Sequence, residues 1–139
     1  MAHNHVPGLV LRLDPDELLN HGAHCSCDID LAVKAQHYFL CIASDPKEGI
    51  WLPLFTGPRV GTREIPAAAK AGHPRWTNGT SYYPTDQIWR APHKAVQRAA
   101  SVAHDQTTTK TANTVAAKFL PPREDFPALA NEGINGKAD

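Results

Sequence analysis

No run of this chain is apolar enough to span a membrane as a helix. The longest strongly apolar stretch, residues 38–43, is far short of the roughly 20 residues such a span needs. A basic region followed by an apolar stretch is missing from the first residues, Met-Ala-His-Asn-His-Val-Pro-Gly, so no secretory leader is expected. Cysteine is scarce. The three present, Cys25, Cys27 and Cys41, are too few and too closely spaced for a disulfide framework. That points to a reducing, cytoplasmic setting. Net charge is lacking too, because 14 Lys and Arg balance 14 Asp and Glu.

The 139 residues suit a single domain, and 42% hydrophobic with 20% charged residues is a globular balance. Twelve Pro and nine Gly predict many turns and few long helices. The charge is unevenly spread. Residues 1–30 hold Asp14, Asp16, Glu17, Asp28 and Asp30 against Arg12 alone. Residues 47–98 hold eight Lys and Arg against Glu48, Glu64 and Asp86. An acidic leader before a basic body suits a polyanionic partner for the body. It equally suits a solvated basic surface balanced by its own N-terminal part.

Residues 1–12 read as a tail or an edge strand, 13–105 as one domain, and 106–139 as a helical extension with a mobile tail. Asp14 followed by Pro15, with acids in the first turn and Gly22 beyond, predicts a short helix. The stretches 36–43 and 50–56 read as the two strands of a hairpin, joined by turn residues at 44–49. Pro53 cannot donate to a ladder, which predicts an edge position or a bulge there. Further short strands are expected at 62–65, from Ser81 to Tyr83, and around 86–90. Residues 66–72 read as one helical turn and 73–77 as extended chain. Residues 92–105 read as the clearest helix, with Ala95, Val96, Ala99, Val102 and Ala103 on its apolar face. A second short helix is expected at 112–120. The sum is mainly β with appended α: about five strands, best closed as a small, strongly bent barrel.

Three segments resemble a known family. They are His-Tyr-Phe-Leu-Cys-Ile-Ala-Ser at 37–44, Gly-Ile-Trp-Leu-Pro-Leu-Phe-Thr at 49–56, and Gly-His-Pro-Arg-Trp-Thr-Asn-Gly-Thr-Ser-Tyr-Tyr at 72–83. In order and spacing they look like the PemK-like plasmid-maintenance toxin superfamily, growth inhibitors built on an SH3-like barrel. The resemblance covers about 60 residues. It implies a compact barrel that dimerises, cleaves single-stranded RNA without a metal or cofactor, and is held in check by an antitoxin segment. Thr56 matches the family's phosphate-placing threonine. The Arg-Pro pair that usually opens the first core strand is replaced by Gln36-His37, so that site position is not kept.

Metal-free RNA cleavage needs a base for the 2′-hydroxyl proton, an acid for the leaving 5′-oxygen and a cation for the phosphorane. His37 is the candidate acid–base group, Arg59 and Arg75 the candidate cations, and Thr56 the candidate phosphate ligand. Trp76, His73, Ser81, Lys94 and Arg98 are candidates for holding the substrate. Trp76, beside Arg75 in a polar loop, is the surface aromatic that could stack on a base. Each has a structural role open to it as well. His37 suits a strand-end histidine bonded to a carbonyl, Thr56 a strand terminator, and the arginines a solvated surface. His73 and Ser81 suit turn-ordering positions, and Lys94 and Arg98 a solvated helix face.

A second cluster, His21, His24, Cys25 and Cys27, offers ligand types that zinc favours. Only Ser26 separates its cysteines, where a zinc knuckle has two residues. The alternative is a loop with two redox-labile thiols. Three readings therefore stand: a toxin-type endoribonuclease acting on RNA, a non-catalytic barrel that binds nucleic acid or a protein partner, and, third in order, a metalloprotein organised by His21, His24, Cys25 and Cys27.

Overall fold

A computed structural model describes residues 5–27, 35–102 and 113–122. The end of the expected helix beyond residue 102, the stretch 103–112 and everything past residue 122 lie outside the described residues. The elements run β1 (Leu9–Leu13), α1 (Pro15–Asn20), β2 (His24–Cys25), β3 (His37–Ser44), β4 (Glu48–Pro53) and β5 (Thr62–Ile65). After a 3-10 turn (Ala67–Ala69) come β6 (Lys70–Ala71), α2 (Pro74–Thr77), β7 (Ser81–Pro84), β8 (Trp89–Pro92), α3 (His93–Val102) and β9 (Asn113–Val115).

The local signals act as expected at α1. Asp14 Oδ1 accepts from the amides of Asp16, at 2.9 Å, and Glu17, at 3.4 Å, while Pro15 occupies the first helical position. Gly22, at φ +102°, takes the chain out of the helix in a conformation that other residues resist. The β3–β4 hairpin also forms as expected. Asp45 closes its turn by accepting from the amides of Lys47 (2.7 Å) and Glu48 (2.9 Å). Gly49 is required there for a different reason: a Cβ would lie 2.7 Å from Nε1 of Trp51.

The strands form a seven-stranded sheet in the order β2-β8-β4-β3-β1-β9-β6, with β5 and β7 paired as a second sheet. Every strand pair is antiparallel. Phe55, just beyond β4, forms a bridge with Tyr82 of β7. The chain is thus mainly β with a few helices, and neither sheet is closed among the described residues.

Alternation along the central strands buries both faces of the large sheet. Leu9, Leu13, Phe39, Cys41 and Trp51 join one core with Leu18 of α1 and Ala95, Val96 and Ala99 of α3. Val10, Leu40, Ile50 and Leu52 join the other with Ile65, Trp76, Tyr83 and Val115. This is why 38–43 and 50–52 read as continuous apolar runs: both faces of those strands pack into a core, and 39–41 and 50–52 are buried throughout.

Several expectations are corrected. Residues 9–13 are neither tail nor edge; β1 lies inside the sheet, between β3 and β9. Pro53 does not sit on an edge strand, because β4 lies between β3 and β8. The ladder to β8 stops at Trp51, so the missing N–H of Pro53 costs no bond on that side. The bulge falls instead on β3, between Cys41 and Ala43. Residues 74–77 form a helical turn rather than extended chain, capped by Nδ1 of His73, which accepts from the Arg75 amide at 3.1 Å. The start of the expected helix 112–120 is strand β9. Its Val115 packs in the second core, and burial there outweighs the helix propensity of the alanines around it. Helix α3 begins at His93, because Pro92 is still paired with Glu48 in the β4–β8 ladder.

Candidate functional site

Where β3 begins and β4 ends, the two strands open onto a groove of about 460 Å³. Its walls include His37, Thr56 and Arg59, three of the four candidate catalytic residues, together with Arg12, Tyr38 and Phe55. Among the described residues, no carboxylate lines it. The sheet register explains the meeting. Antiparallel pairing of β1 with β3 sets Arg12 opposite Tyr38 and Leu13 opposite His37. The run after β4 then returns beside the start of β3, with the Leu54 amide donating to the carbonyl of Tyr38 at 2.8 Å.

His37 is half-buried. Its Nδ1 lies 3.0 Å from the carbonyl oxygen of Leu54. A carbonyl only accepts, so Nδ1 carries the proton and Nε2 of the neutral ring keeps its lone pair. The ring packs edge-on against Phe55, with centroids 5.4 Å apart. Its pKa is lowered from 6.5, first by burial and then by the positive charges of Arg12 and Arg59; the Leu54 carbonyl opposes this.

The cations are held by aromatic faces. The guanidinium of Arg59 lies 4.1 Å from the Phe55 ring centre, and that of Arg12 lies 5.3 Å from the Tyr38 ring centre. The loop carrying Arg59 is pinned by its neighbour: the Arg59 amide donates to Oγ1 of Thr62 at 2.9 Å, and that hydroxyl donates back to the Arg59 carbonyl at 2.7 Å. Thr56 is exposed at the groove mouth.

The other candidates lie elsewhere. Arg75 is exposed on α2 and does not line the groove. Trp76 is not a surface platform. It is 1% exposed, its Nε1 donates to the Thr114 carbonyl at 3.1 Å, and Nζ of Lys70 lies 4.1 Å from its ring centre. A ring of that size beside β9 covers more apolar area inside than any loop position would. Ser81 is buried and bonded to Nζ of Lys70 at 2.7 Å. His73 caps α2, while its amide donates to Oδ1 of Asn113 at 2.8 Å. Lys94 and Arg98 are exposed on α3, outside the groove walls.

The His/Cys cluster does not converge. His21 pairs with Glu17 at 3.2 Å, and His24 is exposed on β2. The Sγ atoms of Cys25 and Cys27 face one another at 3.2 Å. Among the described residues, no group of three or more His, Cys, Asp or Glu is placed to hold a metal ion.

Arg12 and Tyr38 are the groove residues that sequence reasoning missed. Arg12 is the lone cation in an alternating run, Leu-Val-Leu-Arg-Leu, and that alternation was its one available signal. Comparison with family models, with curated proteins and with solved structures finds no match for this chain.

Proposed function

We propose that this chain is a PemK-like, barrel-related protein that cleaves single-stranded RNA in the groove at the start of β3, using its own side chains. The observation that carries this reading is the meeting of a neutral, half-buried histidine with two arginines and a threonine in one groove whose walls, among the described residues, hold no carboxylate. Arg12 supports it further. The resemblance leaves the start of the first core strand without its usual cation, and Arg12, reaching in from the neighbouring strand, returns a guanidinium to that place.

On this reading Nε2 of His37 takes the proton of a ribose 2′-hydroxyl. The freed oxygen attacks the adjacent phosphorus, and the bond to the 5′-oxygen breaks. Arg12 and Arg59 offset the charge that builds on the phosphorane, and the Thr56 hydroxyl donates to a phosphate oxygen. Tyr38 carries the remaining hydroxyl of the groove wall among the described residues, so the leaving oxygen takes its proton from it or from water. The same resemblance brings with it a closed barrel, a homodimer, an antitoxin partner and a cytoplasmic growth-inhibitor role.

A second reading, a barrel that binds RNA or a protein without turnover, is favoured by Gln36-His37 standing where the family has Arg-Pro. One experiment separates the two. The pure chain is incubated with mixed-sequence single-stranded RNA in EDTA, beside His37→Ala and Arg59→Ala variants of matching circular dichroism. Fragments from the parent, at least tenfold fewer from His37→Ala with RNA binding kept, support the catalyst. A gel shift with intact RNA throughout supports the binder. Intact, unshifted RNA in every lane overturns both RNA readings.

A further inference from the structure

We propose that Cys25 and Cys27 form a redox modification site: a dithiol that closes reversibly to an intramolecular disulfide by exchange with a small-molecule disulfide of the glutathione class. The thiols lie 3.2 Å apart, so closure to a bond of about 2.05 Å needs only a small side-chain rotation. The backbone between them is already held. Ser26 donates its amide to the Ile88 carbonyl at 2.8 Å, and its Oγ accepts from the Ile88 amide at 2.9 Å. Cys25 itself is paired with Trp89 in the β2–β8 ladder.

Both thiols are reachable. Each is partly exposed, and they open onto different clefts. Cys25 lines one of about 480 Å³ with His24, Ile88 and Arg90; Cys27 lines one of about 220 Å³ with Arg59 and Asp86. The third cysteine is built to stay out of the chemistry. Cys41 is fully buried, its thiol donates to the Ala43 carbonyl at 3.3 Å, and burial pushes its pKa up to about 12.

The exchange balances without further reagents. One thiolate attacks a sulfur of the oxidised small molecule, forming a mixed disulfide and releasing one small thiol. The second thiolate, already within van der Waals reach, displaces the remaining small thiol and forms the ring. Two protein thiols are oxidised, one small disulfide is reduced, and the two protons leave on the released thiols. Because the second step is intramolecular, the mixed disulfide does not accumulate.

The test uses the full chain, equilibrated with oxidised and reduced glutathione in graded ratios, quenched in acid and alkylated under denaturing conditions. Peptide mass spectrometry is expected to show Cys25 and Cys27 losing alkylation together, in one peptide lighter by two hydrogens, while Cys41 stays alkylated. Cys25→Ser is expected to trap a stable glutathione adduct on Cys27. Alkylation of both thiols at every ratio overturns the proposal. So does pairing that includes Cys41 or a second chain, or a persistent adduct on the parent protein. If Cys25→Ser does not fold, the parent titration still decides.

Discussion

At the scale of single residues, His37 shows how one contact selects a chemical role. The Leu54 carbonyl fixes the proton on Nδ1, and burial with two nearby guanidinium groups keeps the ring neutral at physiological pH. The ring therefore suits a base rather than an acid. The unfolded chain takes up a proton on this ring as pH falls through 6.5, before the folded chain does. Its contribution to stability is thus complete above 6.5 and is lost as pH falls through the lower folded value. NMR titration of the ring protons is expected to place the His37 midpoint below 6.5. Arg59→Ala is expected to move it back upward, since one opposing charge is gone. A midpoint at or above 6.5 in the parent contradicts the electrostatics described for the groove.

Buried polar residues follow the same accounting. His93 Nε2 donates to the Asp45 carbonyl at 2.6 Å, and its Nδ1 lies 2.9 Å from Nδ1 of His5. Through that contact the first described residue of the chain is tied to the start of α3.

At the scale of elements, the region around α2 is a small polar lock over an aromatic. Lys70, on β6, donates from Nζ to the Trp76 carbonyl at 3.1 Å and to Ser81 Oγ at 2.7 Å, over the Trp76 ring. One amine therefore joins β6, α2 and β7. Burial lowers its pKa from 10.5 to about 8. The unfolded chain keeps that proton up to 10.5, so between the two values unfolding takes up a proton and stability rises with pH. Above about 9 Cys41 opposes this: its thiol ionises from 9.0 when unfolded but only at about 12 when folded. The interval from pH 8 to 9 is where Lys70 acts with least interference. Urea midpoints are expected to rise across it in the parent and to rise less in Lys70→Met. An equal rise in both proteins assigns the effect to other groups.

At the scale of the whole molecule, two cores lie on opposite faces of one sheet. Trp51 and Trp89 belong to the first, and Trp76 to the second. The strands between them are shared: Phe39 and Leu40 are neighbours on β3 but face different cores, as do Trp51 and Leu52 on β4. Losing either core exposes one face of the same strands, so the two are expected to unfold as one unit. Denaturation of the parent and of Trp76→Phe, followed by tryptophan fluorescence and by far-ultraviolet circular dichroism, should give coincident curves. The Trp76→Phe midpoint should be lower, by a cost of about 1–3 kcal/mol for the lost packing. Separate fluorescence transitions for the two cores contradict this architecture.

How much was legible in the sequence follows from how far apart the deciding contacts lie. Asp14, Pro15 and Gly22 determine α1 by themselves, because a cap, a first-turn proline and a left-handed exit are satisfied within eight or nine residues. The β3–β4 hairpin and its Asp45 turn are local in the same sense, and so is the buried stripe of Ala95, Val96 and Ala99. His37, Thr56 and Arg59 could be singled out as a group, since a hairpin brings the start of one strand near the end of the next. Arg12 could not. It reaches the groove only because β1 pairs with β3 in one register, and a slip of one residue would turn its side chain to the other face. Trp76 and residues 113–115 were misjudged for the same reason. Their local chemistry is that of a polar loop and an alanine-rich helix, while their burial is set by distant segments: Trp76 packs beside β9, and residues 113–115 pair with β1 and β6. Local hydrogen bonding determined the short elements; only long-range strand pairing and burial decided which side chains share the groove and which fill the core.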